Sequence, residues 1–184
     1  MSTFTMQFDG GSRGNPGCGG AGAVIFSGPI DEPDAEIWSG SFFLGQDITN
    51  NQAEYTGLIE GLKAGQTLNI SKMHVQGDSE LVLKQMKGEY KVRNPGLQRL
   101  YREAMTVVKQ YPKNAITFEH IARAFNKRAD ELSNVGMDEG KNKAQDSAKA
   151  LSRSQQEKDS AEIISLQEKI IVAEKRIEVL RKKK

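Results

Sequence analysis

The chain of 184 residues has one cysteine, one tryptophan, two histidines and five prolines. A lone thiol, Cys18, excludes an internal disulfide and points to a reducing interior. No apolar run approaches the length of a membrane span, which excludes a transmembrane helix and gives no reason to expect a membrane partner. The opening "MSTFTMQ" lacks a basic stretch followed by an apolar one, so it does not read as a secretory signal. An intracellular protein, in the cytoplasm or beside nucleic acid in a nucleoid or nucleus, is the resulting expectation. An excess of charge of one sign is also lacking, with a formal net of only +2.

The distribution of that charge is more telling. Residues 141–184 carry 12 Lys+Arg against 7 Asp+Glu, a net of +5, which leaves −3 for residues 1–140. From about Gly140 glycine and proline vanish, and Lys, Gln, Glu, Ser and Ala dominate. This predicts a domain over 1–140 and a basic helical tail over 141–184.

Within the domain, "TFTMQF" reads as a strand ending near Asp9, followed by a glycine-rich turn. "GAGAVIF" and "EIWSGSFFL" read as two more strands of an antiparallel meander. "TNNQAEYTGLIEGLKAGQTL" reads as a helix that Thr49 or Asn50 can cap. "KMHVQGD" is a short strand ending at Asp78. "DSELVLKQMKG" and "NPGLQRLYREAMTVVKQY" are helices, "AITFEHI" is a last strand, and "KRADELSNVGMDE" is a last helix. Hairpins followed by helical crossovers make an α/β layout with a mixed sheet.

Four acids fall at the ends of these predicted elements: Asp9, Glu54, Asp78 and Asp130. Singly, each has a plain structural use, as turn former, exposed helix residue, N-cap or first-turn acid. Together at one sheet edge they would repel one another unless cations neutralised them. Hard carboxylate oxygens suit Mg²⁺ or Mn²⁺, and two such ions can stabilise the attacking and leaving oxygens of a phosphodiester cleavage.

The contexts of these acids, "FDGGSRGNPGCGGAGAVI", "TNNQAEYTGLIEGL", "VQGDSELVLKQMKGEY" and "FEHIARAFNKRADELSN", resemble the successive motifs of the type 1 ribonuclease H family. The match covers roughly residues 3–138. It is closest to the branch with Asp-Gly-Gly-Ser at the first motif and R-x-x-N-x-x-A-D at the last. The resemblance implies a five-stranded mixed sheet flanked by helices. It also implies endonucleolytic hydrolysis of the RNA strand of RNA–DNA hybrids with two Mg²⁺ ions, leaving 3′-hydroxyl and 5′-phosphate ends. The motif acids fall on Asp9, Glu54, Asp78 and Asp130, as catalytic residues and metal ligands. By the same resemblance Gly10, Gly11, Ser12, Asn15, Asn50, Asn51, Gln52 and Ser79 are substrate contacts, the amides and hydroxyls suiting a minor groove that displays 2′-hydroxyls. Lys84, Lys87 and Arg93, in a segment where many members carry a longer basic protrusion, are expected phosphate contacts.

His120, Arg123 and Asn126 are auxiliary candidates. Many members place a histidine in the loop before the last acid; here His120 alternates with Phe118 and reads as a strand residue, leaving Arg123 to take that electrostatic role. In the tail, Ile163, Ile170 and Ile177 repeat every seven residues, as do Leu166, Ala173 and Leu180. This predicts a helix over 144–181 with a short coiled-coil seam for a homodimer or a protein partner. The alternative function is a binding module for hybrid or double-stranded RNA, weak in cleavage and recruited through that helix.

Overall fold

A computed structural model of the chain describes residues 4–32 and 34–140, with 142, 149 and 155 beyond them. Five strands form one sheet: β1 (Phe4–Gly14), β2 (Gly17–Ser27), β3 (Glu36–Ile48), β4 (Met73–Gly77) and β5 (Ile116–His120). The helices are α1 (Asn50–Thr67), α2 (Glu80–Met86), α3 (Pro95–Val108) and α4 (127–140), the last preceded by a 3-10 turn at Arg123–Phe125. Strand order is β3-β2-β1-β4-β5, antiparallel across β1, β2 and β3 and parallel from β1 through β4 to β5. The expected mixed sheet flanked by helices is what forms.

The helix starts follow local chemistry. Thr49 caps α1 and Gln52 returns the bond to the Thr49 backbone, a reciprocal capping box. Asn94 caps α3, with Pro95 in its first turn. One core lies under α1 and α3, built on Met6, Phe8, Leu58, Leu62, Val75 and Val107. Tyr55 and Tyr111 are buried with it, and each donates its hydroxyl, to Gln85 Oε1 at 2.7 Å and to the Leu62 carbonyl at 2.5 Å. Burial pushes the Tyr111 phenol up to about 12. The opposite face of the sheet carries α4, fastened to β3 by Arg128–Glu36 and by Ser41 Oγ donating to the Leu132 carbonyl.

The glycine-rich segment departs from the expected long turn. Strands β1 and β2 run on to Gly14 and Gly17, so the turn is only Asn15 and Pro16. Gly14 takes a φ of +94°, a conformation open to glycine. Gly10 and the small residues of "GAGAVIF", a strand expected to have something packed closely on it, serve close packing. A Cβ on Gly20 or Gly22 would lie 2.3–2.4 Å from backbone carbonyl oxygens of α4. One on Gly10 would lie 2.1 Å from the Ala53 carbonyl carbon in α1.

The chain divides into two units, Met1–Lys141 and Asn142–Lys184, and the sheet belongs to the first. Of the predicted helix over 144–181 only Lys149 and Gln155 are described, both helical, and the seam positions lie outside the described residues. Among the described residues no helix is long and apolar enough to cross a membrane.

Candidate active site

Asp9 does not sit at a strand end. It lies in the middle of β1, at the point where that strand loses a neighbour. Strand β4 pairs with β1 only from Thr5 to Phe8 and stops at Gly77, opposite Phe8. Beyond that register one edge of β1 is open, and Asp78 follows directly on the end of β4. The site is thus a gap beyond the carboxyl end of a short parallel strand, where open α/β sheets commonly bind ligands.

Glu54 arrives from α1. The bare Gly10 faces α1, and Gly57 returns the accommodation, since a Cβ there would meet the Asp9 carbonyl oxygen at 2.6 Å. This contact sets the depth of α1 against β1 and delivers Glu54 between Ala53 and Gly57. Carboxylate oxygens of Asp9, Glu54 and Asp78 all lie within 4.8 Å of one another. Asp130 lines the same cleft of about 310 Å³ but stands outside that triad, with its Oδ1 paired to Arg123.

The electrostatics are unbalanced. Burial raises the Asp9 carboxyl, the Ser133 hydrogen bond opposes the rise, and the charges of Asp78 and Asp130 add to it. Burial, then Asp9 and Asp78, raise Glu54 well above the ordinary range, with Arg123 opposing. Each like-charge pair at this separation repels by about 3–4 kcal/mol at an effective dielectric near 20. Glu54 Oε2 is buried with no hydrogen-bond partner. A buried, unpartnered carboxylate oxygen beside two more carboxylates is the donor set of a hard divalent cation, so the residues present fit Mg²⁺ or Mn²⁺.

Neighbouring side chains orient the acids. Asn126, fully buried, donates to the Phe8 carbonyl at 2.8 Å and to Asp78 Oδ1 at 2.7 Å. Ser133 Oγ donates to Asp9 Oδ2 at 2.6 Å. The spacing of the last motif now has physical reasons: Arg123 pairs with Asp130, Asn126 holds Asp78, and the backbone at Ala129 lies against Gly22.

Of the expected contacts, Gly10, Gly11, Ser12 and Asn50 line the cleft. Asn15 Oδ1 accepts from the Asn50 backbone N–H at 3.1 Å, tying the hairpin tip to the start of α1. Asn51 is exposed there, while Gln52 Oε1 is engaged in the capping box. Ser79 is the N-cap of α2 without a side-chain capping bond. Lys84, Lys87 and Arg93 are not among the residues that line the cleft. Lys84 pairs with Glu80 and stands 4.8 Å from the Tyr90 ring centroid. His120 ends β5, exposed, its Nε2 3.2 Å from the Asp78 carbonyl oxygen. Residues not anticipated are Arg13, Ser133, Asn134 and Met137, all lining the cleft. The last three follow Asp130 at three, four and seven residues, so the face of α4 that carries Asp130 was the signal.

Sheet order, crossovers and carboxylate cluster together define the ribonuclease H-like class. A family model described as reverse transcriptase-like matches residues 7–136. Ribonuclease H of Hydrogenovibrio crunogenus is 34% identical over 156 residues, covering 76% of this chain and 98% of that protein. The bifunctional protein Rv2228c of Mycobacterium tuberculosis is 41% identical over 133 residues, but these are 72% of this chain and 35% of that one. The chain therefore spans about a third of the length of the first curated relatives it matches. The solved N-terminal RNase H domain of that protein aligns with a TM-score of 0.71 at 38% identity, covering 78% of this chain and 99% of that one. LC11-RNase H1, solved in complex with an RNA/DNA hybrid, aligns with a TM-score of 0.66 at 36% identity, over 74% of this chain and 98% of that one. The chain belongs to the type 1 ribonuclease H family.

Proposed function

We propose that the chain is an endoribonuclease that hydrolyses the RNA strand of RNA–DNA hybrids with two Mg²⁺ ions, Mn²⁺ being the substitute. Residues 1–140 form the nuclease domain, and 141–184 a basic tail. The observation that carries the reading is the buried, unpartnered Glu54 Oε2 beside Asp9 and Asp78.

In this reading Asp9, Glu54 and Asp78 hold cation, and Asp130 completes the set. Bound cation would activate the attacking water and neutralise charge on the phosphate and leaving oxygen. The rest is done by the chain. Ser133 and Asn126 keep two carboxylates in fixed orientation, and Arg123 restrains Asp130. The bare Gly11 lets a backbone approach closely, and the Ser12 hydroxyl and Asn50 amide beside the RNA strand select for its 2′-hydroxyls. Products would carry 3′-hydroxyl and 5′-phosphate ends.

End-labelled RNA–DNA, RNA–RNA and DNA–DNA duplexes, incubated side by side in Mg²⁺, Mn²⁺ and chelator, test this. Cleavage confined to the RNA of the hybrid and abolished by chelator is expected. Intact hybrid in both metals would reject the nuclease, and equal cleavage of RNA–RNA would reject the hybrid preference.

Asn126→Ala removes the bond that aligns Asp78 and the buried bond to the Phe8 carbonyl. It is expected to destabilise the fold by about 1–3 kcal/mol and lower turnover about ten- to a hundredfold. Denaturant melts and single-turnover rates check this. His120→Ala, at an exposed strand end with its ring at the Asp78 carbonyl oxygen and its charge acting on Glu80, is expected to lower turnover by less than about tenfold, short of what a general acid–base group supplies. A loss of a thousandfold with unchanged melting would place His120 in the chemistry.

A further inference from the structure

A polyanion must enter a cleft that holds four carboxylates, and among the described residues two cationic side chains line it, Arg13 and Arg123. Arg123 is committed to the acids: it pairs with Asp130, and the charges of Asp9 and Asp78 also act on it. Arg13 stands apart. It shares a face of β1 with Asp9 and Gly11, four residues from Asp9, so about 13 Å along the strand.

The partner of Arg13 is Asp138, near the end of α4. Their contact is a single bond, Nη1 to Oδ1 at 2.6 Å, with the side chains 43% and 61% exposed. The contrast with Arg128 is instructive. Arg128 grips both oxygens of Glu36 through two bonds of 2.8 and 3.0 Å, pinning α4 to β3. Arg13 makes only one side-chain hydrogen bond among the described residues, leaving most of its guanidinium fork unused. An exposed, single-bond ion pair adds little to stability. The same fork matches two non-bridging oxygens of a phosphodiester.

We propose that Arg13 is a backbone-phosphate contact for the bound nucleic acid, and that Asp138 holds its guanidinium in place until a phosphate displaces it. This rests on the hybrid-cleaving reading for the kind of ligand, but not on catalysis. The bond to Asp138 holds the long side chain at the cleft wall and not on the acid triad, where it would compete for cation. The contact carries no sequence information and sets where along the strand the backbone is held.

The test uses the full chain, a short fluorescently labelled RNA–DNA hybrid, and Ca²⁺ in place of Mg²⁺, with Kd read by anisotropy across a salt series. Arg13→Gln is expected to weaken binding about tenfold, the worth of one charge-assisted hydrogen bond. It should also reduce the slope of log K against log salt by about one. Asp138→Asn, which removes the competitor, is expected to bind at least as tightly as wild type. The exchange of both residues, Arg13→Asp with Asp138→Arg, restores an ion pair without restoring the cation at position 13, and is expected to stay weak. Recovery of wild-type Kd by the exchange, equal weakening by Asp138→Asn, or an unchanged salt slope in Arg13→Gln would each overturn the proposal in favour of a plain α4 clamp. Wild-type protein that does not bind the hybrid would overturn it too. Binding without cleavage in Mg²⁺ would overturn the nuclease reading alone.

Discussion

Asp9→Asn or Asp78→Asn should abolish hybrid cleavage, by roughly a hundredfold or more, while making the cation-free protein more stable. The two effects share one cause. A carboxylate that holds cation contributes more to turnover than groups that merely orient it, whose loss already lowers activity ten- to a hundredfold. Without cation, the same carboxylates repel inside a site where Glu54 Oε2 has no partner. Burial and like charge raise the carboxyls of Asp9 and Glu54, so the folded chain binds protons more tightly than the unfolded one. Stability in chelator is therefore fullest below the ordinary carboxylate range, and falls as pH rises through that range toward the raised folded-state values. Thermal melts in chelator should show a lower Tm at pH 8 than at pH 5. Mg²⁺ should recover much of that loss in wild type and little in Asp9→Asn. Asparagine keeps the volume and can still accept from Ser133. A wild-type Tm that rises with pH in chelator, or a variant with near-native turnover in Mg²⁺, would show the triad is not the metal site.

What was legible in the sequence tracks how local each cause is. The cap of α1, read as Thr49 or Asn50, and the Asn94-Pro95 entry to α3 depend on residues three or fewer apart, and both are readable. The four acids were found through their motif contexts. Their convergence depends on something no local pattern carries, the register at which β4 stops against β1. The first half of the glycine run reads as a turn, and the second as a strand, because glycine composition signals φ freedom and close packing alike. Only the partners of each missing Cβ, α1 on one face and α4 on the other, separate the two uses. Ser133 was missed although it follows Asp130 by three residues on a helix. Asn126 entered as a motif letter, and its reason is a pair of bonds to Phe8 and Asp78, 118 and 48 residues away.

Gly10→Ala is expected to be a severely damaging single methyl. The added Cβ would sit 2.1 Å from the Ala53 carbonyl carbon and 2.2 Å from the Glu54 backbone nitrogen. Both are helix backbone atoms, so relief requires α1 to move away from β1. That movement opens the core contacts of Leu58 and Leu62 and the Gly57 approach to the Asp9 carbonyl, and it withdraws Glu54 from Asp9 and Asp78. Overpacking of this kind destabilises by about 3 kcal/mol or more. A protein that still folds should lose cleavage and most of its stabilisation by Mg²⁺, because the triad no longer closes. The neighbouring glycine provides the contrast. Gly11 points to the opposite face, where a Cβ would meet only the tip of Met137 at 3.3 Å, the movable end of a flexible side chain. Gly11→Ala should therefore melt within about 1 kcal/mol of wild type, as surface-type substitutions usually do. Equal melting of the two variants in denaturant would show that α1 is not held against β1 by the bare backbone at Gly10, and that the delivery of Glu54 has another cause.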